Sequence, residues 1–137
     1  MKKYFASLIA AIMMTAGLVA FTEGTATAAC PYTGCITTYT SIDAPAQVKR
    51  HNRARIGVRV FTDGNGEPKG SVTIRVKRTT GGYSYINSKR YTGDKVWFTT
   101  TRLHKLGKYV VTARFDRKAG SSFKDSNNVA TFRVVRR

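Results

Sequence analysis

Acidic side chains are scarce in this sequence. Its 137 residues include 24 lysines and arginines but only seven aspartates and glutamates, which gives a net charge of +17 at pH 7. Such an imbalance predicts attraction to polyanions and mutual repulsion between copies of the chain. We therefore expect a monomer with an affinity for anionic polymers, although a basic surface can also serve solubility alone.

Catalytic side chains are also few, and their spacing suits no reaction. The six acids beyond residue 29 fall mostly in predicted turns, where aspartate is a common structural residue: Asp43, Asp63, Glu67, Asp94, Asp116 and Asp125. His51 and His104 lie in polar turns among lysines and arginines, so we expect both to be solvated. No Gly-x-Ser-x-Gly motif and no glycine-rich loop leading into a helix is present. These absences predict a protein that is not an enzyme and holds no metal or cofactor.

Long hydrophobic runs are missing beyond the N-terminus. A basic start, an apolar run over 8–21 and small residues over 25–29 are typical of a secretory signal peptide. The run is shorter than the roughly 20 residues that span a bilayer. We therefore predict that residues 1–29 are a cleaved signal, not a transmembrane anchor, and that the protein is secreted or cell-surface associated. A lipoprotein with Cys30 acylated is the alternative, but the usual large aliphatic residue three positions earlier is absent.

Cysteine is limited to Cys30 and Cys35, with Pro-Tyr-Thr-Gly between them. In an oxidising compartment a local disulfide is the default, and Pro31 and Gly34 suit the tight loop that it would close. Two cysteines are too few for a metal site, and thioredoxin-type chemistry needs two intervening residues, not four. We predict an N-terminal segment over 30–38 with this disulfide, followed by a single domain over 39–137.

Apolar residues with the 3.6-residue period of a helix are absent from the predicted mature chain, and a two-residue period replaces it. Alternation or β-branched composition marks strands, with turn signals about every ten residues, over 36–48 (broken at Pro45), 53–61, 71–77, 83–91, 95–101, 109–115 and 128–134. The polar strand over 83–91 is expected at a sheet edge. The pattern predicts an antiparallel β-sandwich of about seven strands.

A structural corner is predicted before the strand over 109–115. The spacing Leu103-x-x-Leu106-Gly107-x-Tyr109 places a glycine at a tight turn just before a tyrosine at the start of a buried row. We expect Gly107 to adopt the turn conformation, and Tyr109 to bury its ring and bond its hydroxyl to nearby backbone, as in a tyrosine corner.

The order of these motifs resembles the bacterial Ig-like repeat domains of secreted and surface proteins. The matching residues are Gly64-x-Gly66-x-Pro68-x-Gly70-x-Val72-x-Ile74, then Leu103-x-x-Leu106-Gly107-x-Tyr109-x-Val111-x-Ala113-x-Phe115, Phe123-x-x-Ser126 and the closing valine-rich strand. The resemblance covers roughly residues 40–135. It implies a Greek-key, Ig-like sandwich that is extracellular, non-catalytic and used as a spacer, adhesin or binding module. This chain holds one copy only, and its charge is far higher than a spacer requires.

Outward basic side chains form two candidate arrays. Arg53, Arg55 and Arg59 share one sheet face, joined by Lys95 and Trp97 if their strands pair; Arg75, Lys77, Arg114 and Arg133 share the other. Alternate strand positions lie about 6.6–7 Å apart, close to the phosphate spacing of phosphodiester polymers. The second array is predicted as the polyanion site, because its three strands should be neighbours and no carboxylate was expected among them.

The ligand class stays open at this level. We predict a binding or adhesion module for an anionic cell-envelope polymer or polysaccharide, with nucleic acid as a further polyanion of similar spacing. One alternative is a structural domain that contacts another protein, its charge serving solubility. Another is a neutral-carbohydrate module that stacks sugars on Trp97, although that ring can equally cover the stems of neighbouring Arg and Lys side chains.

Overall fold

The computed structural model describes residues 34–136. The predicted signal peptide, its cleavage site and Cys30 lie outside the described residues. Secretion, the lipidation alternative and the Cys30–Cys35 disulfide therefore stay predictions.

Eight strands and no helix make up the regular structure of the described residues. The strands are β1 (Thr38–Asp43), β2 (Gln47–Lys49), β3 (Arg55–Thr62), β4 (Gly70–Arg78), β5 (Ser84–Tyr91), β6 (Val96–Thr99), β7 (Gly107–Arg117) and β8 (Ser126–Val135). Within this part of the chain no helix is long and apolar enough to span a bilayer. The expectation of an all-β protein is confirmed, with one strand more than the approximate count.

The strands form two sheets, ordered β1-β3-β6 and β2-β8-β7-β4-β5. The break predicted at Pro45 is the point where the chain leaves the three-stranded sheet at β1 and joins the five-stranded sheet as β2. Because β2 arrives beside the last strand in the same direction, the β2–β8 pair is parallel, whereas the other strand pairs are antiparallel. The wholly antiparallel expectation was wrong at this one pair.

The core lies between the two sheets and follows the predicted alternation. The inward rows of β3, β4 and β7 are almost fully buried: Ile56, Val58, Val60, Val72, Ile74, Val76, Tyr109, Val111, Ala113 and Phe115. Burying each large apolar side chain contributes about 1.5–3 kcal/mol. Many of the outward-facing residues of the same strands are charged.

The corner before β7 is confirmed in detail. Gly107 has φ +126°, a conformation that side-chain-bearing residues rarely adopt. The buried Tyr109 hydroxyl donates to Lys105 O at 2.8 Å, and its ring stacks on Phe132 with centroids 5.3 Å apart. Burial raises the pKa of Tyr109, and the nearby Arg78 partly offsets the rise.

Strand β5 lies at the sheet edge, as its polarity predicts, and that polarity has a second function. Alternate side chains of β5 face inward because they pair with the buried row of β4. Tyr85 Oη donates to Thr99 O at 3.0 Å, and Lys89 Nζ donates to Trp97 O at 2.6 Å. These bonds satisfy backbone carbonyls of β6. The edge strands β5 and β6 of the two sheets are therefore joined by side-chain hydrogen bonds, not by backbone pairing.

Tyr91 ends this series and joins the two sheets. Its side chain is fully buried, and its hydroxyl accepts from the Val60 N–H at 2.9 Å. Val60 O at 3.2 Å and Gly93 O at 2.9 Å are its two acceptors. The hydroxyl thus replaces the missing partner strand where β3 extends beyond β6.

Candidate anion-binding site

The predicted site residues do share the outer face of the five-stranded sheet, but they do not converge. Arg75 and Lys77 follow one another on β4, beside a shallow depression of about 240 Å³ that Val110 and Thr112 also line. Arg114 lies opposite Thr73 in the pairing of β7 with β4. Arg133 lies opposite Lys108, two rows along from Arg75. The four charges are therefore spread over the face, with apolar and threonine side chains between them.

One argument for that face was wrong. A carboxylate does lie on it, because β7 extends to Arg117 and carries Asp116 as an outward strand residue. Arg114 Nε lies 2.7 Å from Asp116 Oδ1 in a largely exposed ion pair. One of the four charges is thus already neutralised locally. The turn that the sequence pattern suggested from Asp116 begins only after Arg117.

A denser array of charge lies at one end of the sandwich, which we call the basic end. It comprises the turns and strand ends over 49–54, 78–83, 100–108 and 133–136, which the strand register places together. Nine lysines and arginines occur there: Lys49, Arg50, Arg53, Arg78, Arg102, Lys105, Lys108, Arg133 and Arg136. These four segments contain His51 and His104 but neither aspartate nor glutamate.

The opposite end holds most of the acids. Its turns and strand ends span 62–70, 90–96 and 116–126. Five of the six acids among the described residues lie there, alongside six lysines and arginines: Asp63, Glu67, Asp94, Asp116 and Asp125. The sixth acid, Asp43, pairs with Lys95. The two ends of the domain consequently differ strongly in charge, and an approaching polyanion would meet its most favourable potential at the basic end.

Backbone hydrogen bonds join the loops of the basic end. His51 N donates to Leu103 O at 2.8 Å, and Leu103 N donates to Asn52 O at 2.9 Å. Arg50 N donates to Val135 O at 2.9 Å, which ties the end of β8 to the same turn. The buried Leu103 side chain anchors the assembly to the core. The backbones of three separate chain segments that carry these cations are therefore joined to one another.

The two histidines meet at this end, which the sequence pattern did not predict. His51 Nδ1 lies 3.0 Å from His104 Nδ1, and the two rings cross edge to face with centroids 5.1 Å apart. Arg50 Nε donates to His104 O at 2.8 Å. His51 has φ +68°, the only positive φ among the described non-glycine residues. Both histidines are exposed, as expected, but they are not isolated from each other.

A depression of about 510 Å³ opens beside the histidine pair. It is lined by Arg50, His51, Leu106 and Arg136. Its charged groups come from the β2–β3 turn and the end of β8, and Leu106 of the β6–β7 loop adds an apolar side chain to the lining. Guanidinium groups bind phosphate oxygens through two parallel N–H donors, which makes this concave, cationic surface suited to an oxyanion.

The exposed face of the three-stranded sheet carries the other predicted array. Arg55 Cζ and Lys95 Nζ lie 4.4 Å and 4.5 Å from the Trp97 ring centroid. The ring edge also covers Gly57, where an added Cβ would lie 3.0 Å from Trp97 Cζ3. The packing interpretation of Trp97 is confirmed, since its ring is engaged by two cations and a glycine of the neighbouring strand.

Further cations on this face are also engaged. Arg59 Cζ lies 5.1 Å from the Phe61 ring centroid. Tyr39 donates its hydroxyl to Asp63 Oδ2 at 3.0 Å, and this hydrogen bond raises the pKa of Tyr39. On this face Lys95 pairs with Asp43 and Arg59 lies over an aromatic ring, whereas the segments of the basic end contain no aspartate or glutamate.

We expect Trp97→Ala to leave the affinity for an anionic polymer within about twofold, because the substitution changes no charge. It should lower the free energy of unfolding by about 1 kcal/mol, through lost contacts with the Arg55 and Lys95 side chains. Denaturant titration and polymer binding in parallel measure both effects. Loss of binding to a neutral polysaccharide with retained polymer affinity would instead favour the sugar-stacking alternative.

Comparisons with known proteins identify no family. No protein-family model matches the chain, and no curated protein matches it. A superoxide reductase (neelaredoxin) from Ignicoccus hospitalis is similar in structure, with a TM-score of 0.50 and 14% identity over 72% of this chain and 82% of that chain. A CARDB domain from Pyrococcus furiosus, solved in complex with di-metal ions, has a TM-score of 0.40 and 22% identity over 73% of this chain and 87% of that one.

The first of these similarities concerns the fold alone, given its low sequence identity. Among residues 34–136 no group of three or more His, Cys, Asp and Glu side chains is arranged to hold a metal ion. The chemistry of the site must therefore be argued from the charges and distances of this chain.

Proposed function

We propose that the chain is a secreted, non-catalytic, Ig-like β-sandwich that binds anionic polymers through its basic end. The split of the first strand between two sheets and the tyrosine corner support the Ig-like, Greek-key assignment. The observation that carries the function is the separation of charge. Nine cations without a single aspartate or glutamate occupy one end, whereas the acids gather at the other.

Like charges held close together lower stability unless an anion compensates them. A surface selected for solubility alone needs only a net charge. Acids mixed among the cations would give the same net charge with less repulsion, and therefore with a smaller loss of folding stability. Here five of the six acids of the described residues lie in or beside every second turn and thus at one end. The polymer class that fits best is a phosphodiester or other acidic polymer of the cell envelope or its surroundings, bound by a monomer.

Salt dependence tests this function directly. We expect the affinity for an oligo(glycerol phosphate) to fall as salt rises, with a slope of about −3 in a plot of log K against log salt concentration. That slope corresponds to about four charged contacts at roughly 0.7 per phosphate of a flexible strand. Fluorescence anisotropy with a labelled oligomer measures it. Binding that hardly responds to salt would contradict the proposal and favour a structural domain or a neutral-sugar module.

A further inference from the structure

The histidine pair borders the depression at the basic end. His51 belongs to the β2–β3 turn and His104 to the β6–β7 loop, and their Nδ1 atoms are 3.0 Å apart. At that distance one Nδ1 must carry the proton and the other must accept it. The contact is thus compatible with no more than one protonated imidazole.

The charged side chains of the described segments around the pair, apart from the histidines themselves, are lysines and arginines. Arg50 comes from the same turn as His51, Lys105 from the loop of His104, and Arg136 from the end of β8. No aspartate or glutamate occurs in the four segments of the basic end. Adding a proton to the pair therefore adds positive charge beside these side chains, and a bound anion would offset it.

Histidine ordinarily changes charge between pH 5 and 8. Linkage requires that an anion which binds the protonated pair more tightly must also promote its protonation. A diester phosphate keeps one negative charge throughout that range, so any dependence of its binding on pH comes from the protein.

We propose that the depression lined by Arg50, His51, Leu106 and Arg136, with His104 against His51, binds a phosphodiester group of an anionic polymer and binds it more tightly as pH falls. Arg50 and Arg136 supply permanent charge, and the histidine pair supplies charge that depends on pH. Leu106 supplies an apolar part of the lining, against which the carbon backbone of the polymer can lie. This inference rests on the proposed function and specifies its ligand group and its regulation.

The test is the affinity of a labelled oligo(glycerol phosphate) at about pH 5.5 and about pH 7.5 and constant ionic strength. We expect binding to be about fivefold tighter at the lower pH, the effect of one added charge about 4 Å from a phosphate in exposed surroundings. Calorimetry in two buffers of different ionisation enthalpy should show proton uptake on binding.

The variant that removes the pH response is His51→Asn with His104→Gln. Asparagine tolerates the positive φ of residue 51, and both side chains are neutral at both pH values. We expect this variant to bind equally at about pH 5.5 and about pH 7.5, and to lose the proton uptake on binding. Arg90→Gln with Lys118→Gln, at the opposite end, is the matched control and should keep the pH response. The melting temperature of each variant shows that it folds.

The outcomes separate the two proposals. Polymer binding that is steeply salt-dependent but equally tight at both pH values would overturn this inference and leave the proposed function standing. A pH response that survives in the double histidine variant would also overturn it. Failure of the oligomer to bind at either pH would overturn the proposed function as well.

Discussion

Reversing two charges at the basic end is expected to weaken binding of an anionic polymer about a hundredfold at low salt. The variant is Arg102→Glu with Arg136→Glu, at two exposed positions in the β6–β7 loop and at the end of β8. Each reversal replaces an attraction of about 1 kcal/mol in solvent-exposed surroundings by a comparable repulsion. The expected loss is set conservatively, because long side chains can move away from the ligand.

Two matched pairs change the net charge by the same amount elsewhere. Arg75→Glu with Arg114→Glu alters the outer face of the five-stranded sheet, and Arg90→Glu with Lys118→Glu alters the opposite end. We expect each to weaken binding by about tenfold or less, through the general field of the protein. Equal losses in all three pairs would mean that net charge alone attracts the polymer. A larger loss at the sheet face would restore the site predicted from the sequence.

Removing the Tyr91 hydroxyl is expected to cost about 3 kcal/mol of unfolding free energy. Tyr91→Phe keeps the buried ring but leaves the Val60 N–H without its partner, together with acceptors on Val60 and Gly93. Each buried polar group left unpaired costs about 1–3 kcal/mol. The consequence should be a melting temperature lower by about 10–20 °C for a domain of this size.

Tyr109→Phe is the matched comparison for this effect. Its hydroxyl donates to the single carbonyl of Lys105, an exposed residue of the β6–β7 loop, and water can solvate that carbonyl once the hydroxyl is gone. We expect a loss of only about 1 kcal/mol. Denaturant unfolding of both variants measures the difference. Equal losses would contradict the claim that Tyr91 substitutes for a missing strand at β3.

The strands and the corner were predictable because their signals are local. Alternation over Ile56, Val58 and Val60 assigns one face of β3 to the core whatever lies opposite. The spacing from Leu103 to Tyr109 contains both partners of the corner hydrogen bond, which are only four residues apart. The proline between β1 and β2 likewise marks the change of sheet by its own backbone chemistry.

Long-range contacts were not predictable in the same way. His51 and His104 are 53 residues apart, and Tyr91 and Val60 are 31 apart. Nothing in the composition of either turn reveals that the other will pack against it. The ion pair of Arg114 and Asp116 was missed for a different reason, because β7 continues two residues beyond the last apolar position of its alternating row.

The separation of charge between the two ends was predictable from the order of the turns along the sequence. Strands β2 to β8 alternate in direction along the chain, so their successive turns lie at alternate ends of the sandwich. Five of the six acids of the described residues lie in or beside the β3–β4, β5–β6 and β7–β8 turns, whereas cations without acids lie in or beside the β2–β3, β4–β5 and β6–β7 turns. Counting charge by alternate turns, instead of by sheet face, predicts the basic end.

Backbone amide chemical shifts, recorded by NMR while an oligo(glycerol phosphate) is added, test the central claim most directly. We expect the largest shifts at Arg50, His51 and Asn52, at His104 to Leu106, and at Arg136, with little change at Arg75 or Arg114. Shifts concentrated on the outer face of the five-stranded sheet, or at the end that holds Asp63 and Asp94, would contradict the assignment of the polymer site to the basic end.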